Sequence, residues 1–205
     1  ERVIDAAVVV ADRGGIDAVS MRSVGRELGV EAMSLYHHVA SKDALLDALA
    51  DWIFARVVAP SPTMGWREGL VAHAASVRDV LGAHSWAFAL VESRSDPGPV
   101  LLDHHEAVLA CLQRDGFSVR ESAHAFSLVD AYTYGFALTE RNLPFDPGVD
   151  GAAFVEAIAR QATTHPSLAA VATTWVEDRY SFTSEFEFGL EVVLDGIARL
   201  RAAGV

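Results

Sequence analysis

The side chains in this sequence best equipped for chemistry are eight histidines, one cysteine and a scatter of carboxylates, and their spacing argues against catalysis. The densest grouping is His104-His105-Glu106. Zinc sites on helices set their histidines one turn apart, as in H-E-x-x-H, whereas adjacent histidines project from different faces. His104 and His105 therefore do not suit one ion, and neither a metal site nor a cofactor is expected. A nucleophile elbow of the form G-x-S-x-G and a phosphate-cradling G-x-x-x-x-G-K-[ST] loop are both missing. Cys111, the sole cysteine, cannot form an internal disulfide; it fits a cytoplasmic setting and, as a small apolar side chain, a core position. No catalytic residue is expected.

A second grouping lies in one short stretch: Arg22, Glu31, Ser34, Tyr36, His37, His38 and Lys42. The elements that hold it can be read from caps and breakers. Ile4, Ala7, Val8 and Ala11 recur at helical spacing until Gly14-Gly15 ends the run. Ser20 offers an N-cap to a short helix carrying Val24 and Leu28, and Gly29 stops it, suiting the left-handed backbone of a tight turn. A third helix spans about Ala32 to Val39, and Ser41 caps a fourth that runs to about Val58. Val24, Leu28, Val30, Leu35 and Val39 give the two short helices an inner face. Two short helices joined by a tight turn follow the helix-turn-helix plan, in which the second helix enters the DNA major groove and the first crosses the backbone.

Pro60-Ser61-Pro62 breaks the fourth helix. Further helices are expected over about 64–82, 84–91, 97–115, 118–142, 151–162, 167–178 and 181–203, with Ser118 and Glu121 as a capping box and with loops at 93–97 and 143–151. No alternating run bounded by a hairpin turn is found, so the fold class is all-α. The expected division is a helix-turn-helix unit over 1–45 and a larger helical unit over 46–205. The sequence opens on Glu1, and a flexible leader is expected ahead of it. No signal-peptide pattern is present and no apolar run reaches the roughly 20 residues of a membrane span.

The formal net charge of −12 argues against a protein that coats nucleic acid through bulk charge. The acid is concentrated downstream: residues 1–58 carry 6 basic and 9 acidic side chains, residues 59–205 carry 10 and 19. A sequence-specific DNA reader needs only a local basic face.

The order of residues then narrows the reading. Met21-Arg22-Ser23-Val24-Gly25-Arg26-Glu27-Leu28-Gly29-Val30, Ser34-Leu35-Tyr36-His37-His38-Val39 and Lys42-Asp43-Ala44-Leu45-Leu46-Asp47-Ala48-Leu49 resemble, in order and spacing, the DNA-binding domain of TetR-family transcriptional regulators. Arg114-Asp115-Gly116-Phe117-Ser118 and the long helix after it, with Gly135 inside, resemble the tetracycline-repressor branch. The resemblance implies a DNA-contacting set. Arg22 would read a guanine edge or a phosphate. Glu31, Ala32, Met33 and Ser34 stand where recognition-helix side chains meet bases, Ala32 and Met33 offering apolar contact and Ser34 a hydrogen bond. Tyr36 and His37 match phosphate-contacting positions, as does Lys42, the only lysine. His38 suits either contact or helix packing. With no arginine or lysine on the recognition helix, guanine reading falls to Arg22, or specificity leans on apolar contact and DNA shape.

The resemblance also implies a homodimer on double-stranded operator DNA, a small-molecule effector and no membrane. Phe186, Leu190, Val193, Ile197 and Leu200 alternate steps of four and three, with Gly189 and Gly196 alongside; the stripe serves either pairing between copies or the chain's own core, and the resemblance favours pairing. An apolar pocket with a few polar anchors is expected, lined by His104, Val108 and Cys111, by Ser127, Ala131 and Tyr134, and closed by His73, Val77, Trp86 and Glu92. The tetracycline repressor's magnesium-chelating histidines have no counterpart: Glu92 stands near one position and Ala131 at the other. The expected effector is therefore another fairly hydrophobic molecule, a natural product or metabolite.

Overall fold

The computed structural model describes residues 1–93, 98–143, 151–178 and 180–203. Two compact units divide the chain, Glu1–Tyr134 and Gly135–Val205. Among the described residues every regular element is helical.

The first unit opens with α1 (Arg2–Gly14), α2 (Met21–Leu28), α3 (Ala32–Leu35) and α4 (Lys42–Phe54). Ser20 caps α2: its hydroxyl accepts from the Ser23 N–H at 3.1 Å, and the Ser23 hydroxyl accepts from the Ser20 N–H at 2.9 Å. Ser41 caps α4 by accepting from the Ala44 N–H at 3.0 Å. α3 is shorter than the expected 32–39, because past Ser34 the bonding tightens. The N–H groups of Tyr36, His37 and His38 each reach back three residues rather than four, to Met33, Ser34 and Leu35. Ala7, Ala11, Val19, Val24, Leu35, Leu45 and Leu49 are buried and give this small bundle its core.

The same unit continues through α5 (Trp66–Ala83), α6 (Ala87–Ser93) and α7 (Pro99–Arg114) into α8 (Val119–Arg141), which crosses the division between units. Gly65 has no side chain with which to cap α5. The cap comes from across the fold, where the Trp66 N–H donates to the Asp115 carboxylate at 2.6 Å and Arg114 donates to the Met64 carbonyl at 3.0 Å. These bonds fix the start of α5 against the end of α7. The Ser118–Glu121 capping box forms as expected, with bonds of 2.6 and 3.2 Å.

In the second unit α9 (Gly151–Gln161) packs on α10 (Pro166–Glu177), and α11 (Phe182–Ala203) ends the described chain. Phe186, Leu190, Leu194 and Ile197 are buried, with the Phe186 ring edge-on to Phe136 at 5.2 Å between centroids. The expected stripe on α11 is therefore mostly inward. The outward apolar side chains are Phe188 and Val192, 68% and 54% exposed. The expected loops at 93–97 and 143–151 fall almost wholly outside the described residues. No described helix is long and apolar enough to cross a membrane.

Candidate functional site

The crossing of α2 and α3 rests on two glycines. Gly29 closes α2 at φ +69°, a conformation that costs a side chain, and its N–H and that of Val30 return to the carbonyls of Arg26 and Gly25. Gly25 is buried, and a Cβ there would lie 2.9 Å from the Val30 carbonyl oxygen and 3.3 Å from the Ala32 Cα. Both neighbours are backbone, so only glycine lets the turn lie this close to α2. Sequence reasoning placed Gly29 but passed over Gly25. Its signal was a glycine inside a short helix, where propensity disfavours it unless another backbone comes near.

With Leu35 buried at 2% exposure, the rest of α3 and its following turn face outward. Glu31, Met33 (74% exposed), Ser34, Tyr36, His37 and His38 are exposed and Ala32 is half-buried. The Ser34 hydroxyl donates to the Glu31 carbonyl at 2.7 Å, which leaves its oxygen free to accept. Arg22, Arg26 and Lys42 are exposed and form no ion pair with a described residue. Glu27 is held by Arg13 at 2.8 Å, so that carboxylate is offset. The surface pairs apolar and hydroxyl groups on one short helix with unneutralised cations at its flanks, a combination able to meet base edges and phosphates together.

A small cleft lies within the first unit and is lined by His73 and Val77 of α5, Val108 of α7, and Phe126, Val129, Asp130 and Thr133 of α8. The His73 Nδ1 donates to the Val58 carbonyl at 3.0 Å, and the Ser76 hydroxyl accepts from the Val58 N–H at 2.9 Å. The cleft wall is thereby tied to the chain just beyond α4. Burial lowers the proton affinity of His73, against the pull of the Val58 carbonyl, and the nearby His104 and His105 lower it further. Burial likewise lowers His105, opposed by Asp130. Asp130 keeps an exposed edge, yet loss of solvent around its carboxyl raises its pKa against the pull of His105. His104 is buried, its ring 6.0 Å from that of His73 and 6.3 Å from that of Phe54.

Comparison with known proteins decides what this arrangement belongs to. Residues 3–49 match the family of bacterial regulatory proteins described as tetR family, and residues 59–201 match the tetracyclin repressor-like C-terminal domain. The chain belongs to the TetR family. It is 31% identical over 200 residues to an HTH-type transcriptional regulator of Saccharopolyspora erythraea, covering 97% of this chain and 84% of that protein. It is 32% identical over 218 residues to an HTH-type transcriptional repressor of Streptomyces coeruleorubidus, covering 98% and 78%. The structure of the Streptomyces coelicolor TetR family protein ActR in complex with actinorhodin superposes with a TM-score of 0.77 at 26% identity, covering 96% of this chain and 93% of that one. TetR-family proteins are ligand-responsive transcriptional regulators and not enzymes.

Within this TetR-family chain the expected pocket residues scatter. His73, Val77 and Val108 line the cleft, and His104 stands beside it. Tyr134 is half-buried edge-on to Phe88 at 6.2 Å, and burial pushes its hydroxyl pKa up. Cys111 is buried near the Met64 carbonyl, away from the cleft lining; burial raises its thiol pKa. Ser127 and Ala131 are exposed and do not line the cleft, which instead takes 126, 129, 130 and 133 from α8. The cleft lining on α8 is thus a face about one residue round from the expected one, and periodicity does not phase a helix that is apolar on nearly all sides. The Glu92 side chain lies outside what is described.

Trp86 also departs from the expectation. Its indole N–H donates to the Asp12 carboxylate of α1 at 2.6 Å, and His84 Nδ1 pairs with the same oxygen at 2.8 Å. The Trp52 ring of α4 meets His84 edge-on at 5.0 Å. Asp12 thus joins the helix-turn-helix bundle to the segment between α5 and α6. Asp12→Ala leaves a buried indole N–H without an acceptor and is expected to cost about 1–3 kcal/mol of stability, read as a lower urea midpoint. An unchanged midpoint would show that the bridge contributes nothing.

Proposed function

We propose that this chain is a repressor that binds a two-fold symmetric operator as a homodimer and is released by a hydrophobic small molecule. The observation that carries the reading is the exposed face of α3 and its turn, flanked by unneutralised Arg22 and Lys42 and held by the Gly25–Gly29 crossing. Arg22, Glu31, Ala32, Met33, Ser34, Tyr36, His37, His38 and Lys42 form the DNA-contacting set, residues 1–45 the DNA-reading unit and 46–205 the effector and pairing unit. The outward Phe188 and Val192 of α11 supply the apolar face for pairing. A cytoplasmic setting follows from the need to reach DNA. A neighbour of this fold solved in complex with actinorhodin supports a small-molecule effector.

Two short covalent and hydrogen-bonded paths support the mechanism. An effector in the cleft touches His73, and His73 holds Val58 at the end of the α4 segment. Movement there reaches α4, which carries Lys42 at its start, while Asp12 carries any shift of the α5–α6 segment into α1. Release follows where the effector binds the misaligned state better than the aligned one, by about 1–3 kcal/mol of coupling.

Salt titration of DNA binding tests the reading. Each phosphate contact contributes about 0.9 to the slope of log K against log salt, so Arg22→Ala with Lys42→Ala is expected to lower that slope by about 1–2 and to weaken binding. A double variant with the slope and affinity of the parent would remove these residues from the interface.

A further inference from the structure

The recognition surface carries one charge of the wrong sign for DNA. Of the four carboxylates between Ser20 and Leu49, Glu27 is held by Arg13 at 2.8 Å and Asp43 and Asp47 have partners. Glu31 meets neither a hydrogen-bond nor an ion-pair partner for its side chain among the described residues. It is exposed and directly precedes α3 in extended backbone, φ −68° and ψ 138°, yet its carboxylate makes no capping bond. Its carbonyl is the group that serves the helix, accepting from the Ser34 N–H at 3.0 Å and from the Ser34 hydroxyl at 2.7 Å. The carboxylate is therefore spent on nothing within the chain, and it stands two residues from Met33, which is 74% exposed on the same short helix.

We propose that Glu31 is a specificity-determining residue that accepts a hydrogen bond from the exocyclic amine of one cytosine in each half-site. The inference deepens the DNA-reading assignment above and rests on it. Duplex DNA carries one negative charge for about every 1.7 Å of its axis, so a bare carboxylate brought against it is repelled unless a donor meets it. The major groove offers two such donors, the N4 amine of cytosine and the N6 amine of adenine. On adenine the amine stands beside N7, whose lone pair repels a carboxylate, whereas on cytosine the neighbouring group along the groove edge is a C–H. Guanine presents two acceptors and thymine an acceptor beside a methyl group, and neither gives Glu31 a hydrogen. An ionised carboxylate only accepts, so of the four bases cytosine alone matches it without a clash of lone pairs.

Selection from a random duplex library with the full chain, Glu31→Ala and Glu31→Gln tests this, followed by gel-shift titration of the enriched duplex. Glu31 is exposed, so both variants are expected to fold, and circular dichroism checks it. The parent is expected to enrich a half-site with one cytosine whose replacement weakens binding about tenfold or more. Glu31→Ala is expected to lose the preference at that position and keep it elsewhere. Glu31→Gln is expected to move it to adenine, since a carboxamide accepts from N6 and donates to N7 together. N4-methylcytosine at that position keeps the base pair but replaces the hydrogen facing the groove; it is expected to weaken the parent as much as a wrong base and to leave Glu31→Ala unaffected. A cytosine preference that survives Glu31→Ala would overturn the proposal. So would a Glu31→Ala protein that binds every duplex more tightly by one common factor, for the carboxylate would then only repel phosphates. In both cases the parent still enriches a sequence and the DNA-reading assignment stands; a folded parent that enriches none would overturn both.

Discussion

Gly25→Val is expected to reduce operator binding at least 100-fold while leaving the α5–α8 region folded. A Cβ at residue 25 falls 2.9 Å from the Val30 carbonyl oxygen and 3.3 Å from the Ala32 Cα and backbone N, and none of these atoms can swing aside as a side-chain tip would. Valine adds two further methyl groups with one strongly preferred rotamer. The strain, about 1–3 kcal/mol for an overpacked site, is relieved only by parting α2 from α3. That movement tilts the exposed Met33–Tyr36 face away from the groove and frees the turn at Gly29. Gel-shift titration reads the loss, and the helical circular dichroism signal reads the survival of the rest. Binding within threefold of the parent would mean that the crossing tolerates a wider approach than the structure shows, and the recognition surface would have to be placed elsewhere.

The second large effect is expected from Phe188→Asp combined with Val192→Asp. Both side chains lie on α11 opposite the buried Phe186, Leu190, Leu194 and Ile197, so neither supports the fold of its own chain. A helix with an apolar side turned to solvent beside an apolar buried side is built to be covered twice. Two carboxylates on the outward side are expected to convert a dimer to a folded monomer in sedimentation velocity. Operator affinity then falls at least 100-fold, since the second half-site no longer binds as part of the same particle. A double variant that still sediments as a dimer would move the pairing surface away from α11.

Much of this was legible in the residues, and for identifiable reasons. Caps and breakers act locally, so Ser20, Gly29, Ser41 and the Ser118–Glu121 box announced their helices correctly. The end of α3 was not announced, because the tightening from four-residue to three-residue bonds after Ser34 depends on how the turn packs. Caps from residues distant in sequence were invisible too: nothing near Gly65 says that Asp115 will receive the Trp66 N–H. Of the residues expected at a pocket, His73, Val77 and Val108 line the cleft, whereas on α8, which has no polar side to fix its rotation from sequence, the lining is a face about one residue round from Ser127 and Ala131. Trp86 illustrates the remaining difficulty, since an aromatic suited to a pocket is equally suited to a buried hydrogen bond, and only the fold brings Asp12 to it.

The central claim is that the chain reads DNA as a symmetric pair, and selection from a random duplex library at near-physiological salt tests it most directly. The account predicts enrichment of one inverted repeat whose half-sites lie about one helical turn, roughly 34–36 Å, apart, and loss of that enrichment with Arg22→Ala and Lys42→Ala. A folded dimer that enriches no sequence, or one whose enriched sequence is unaffected by those two substitutions, would contradict it.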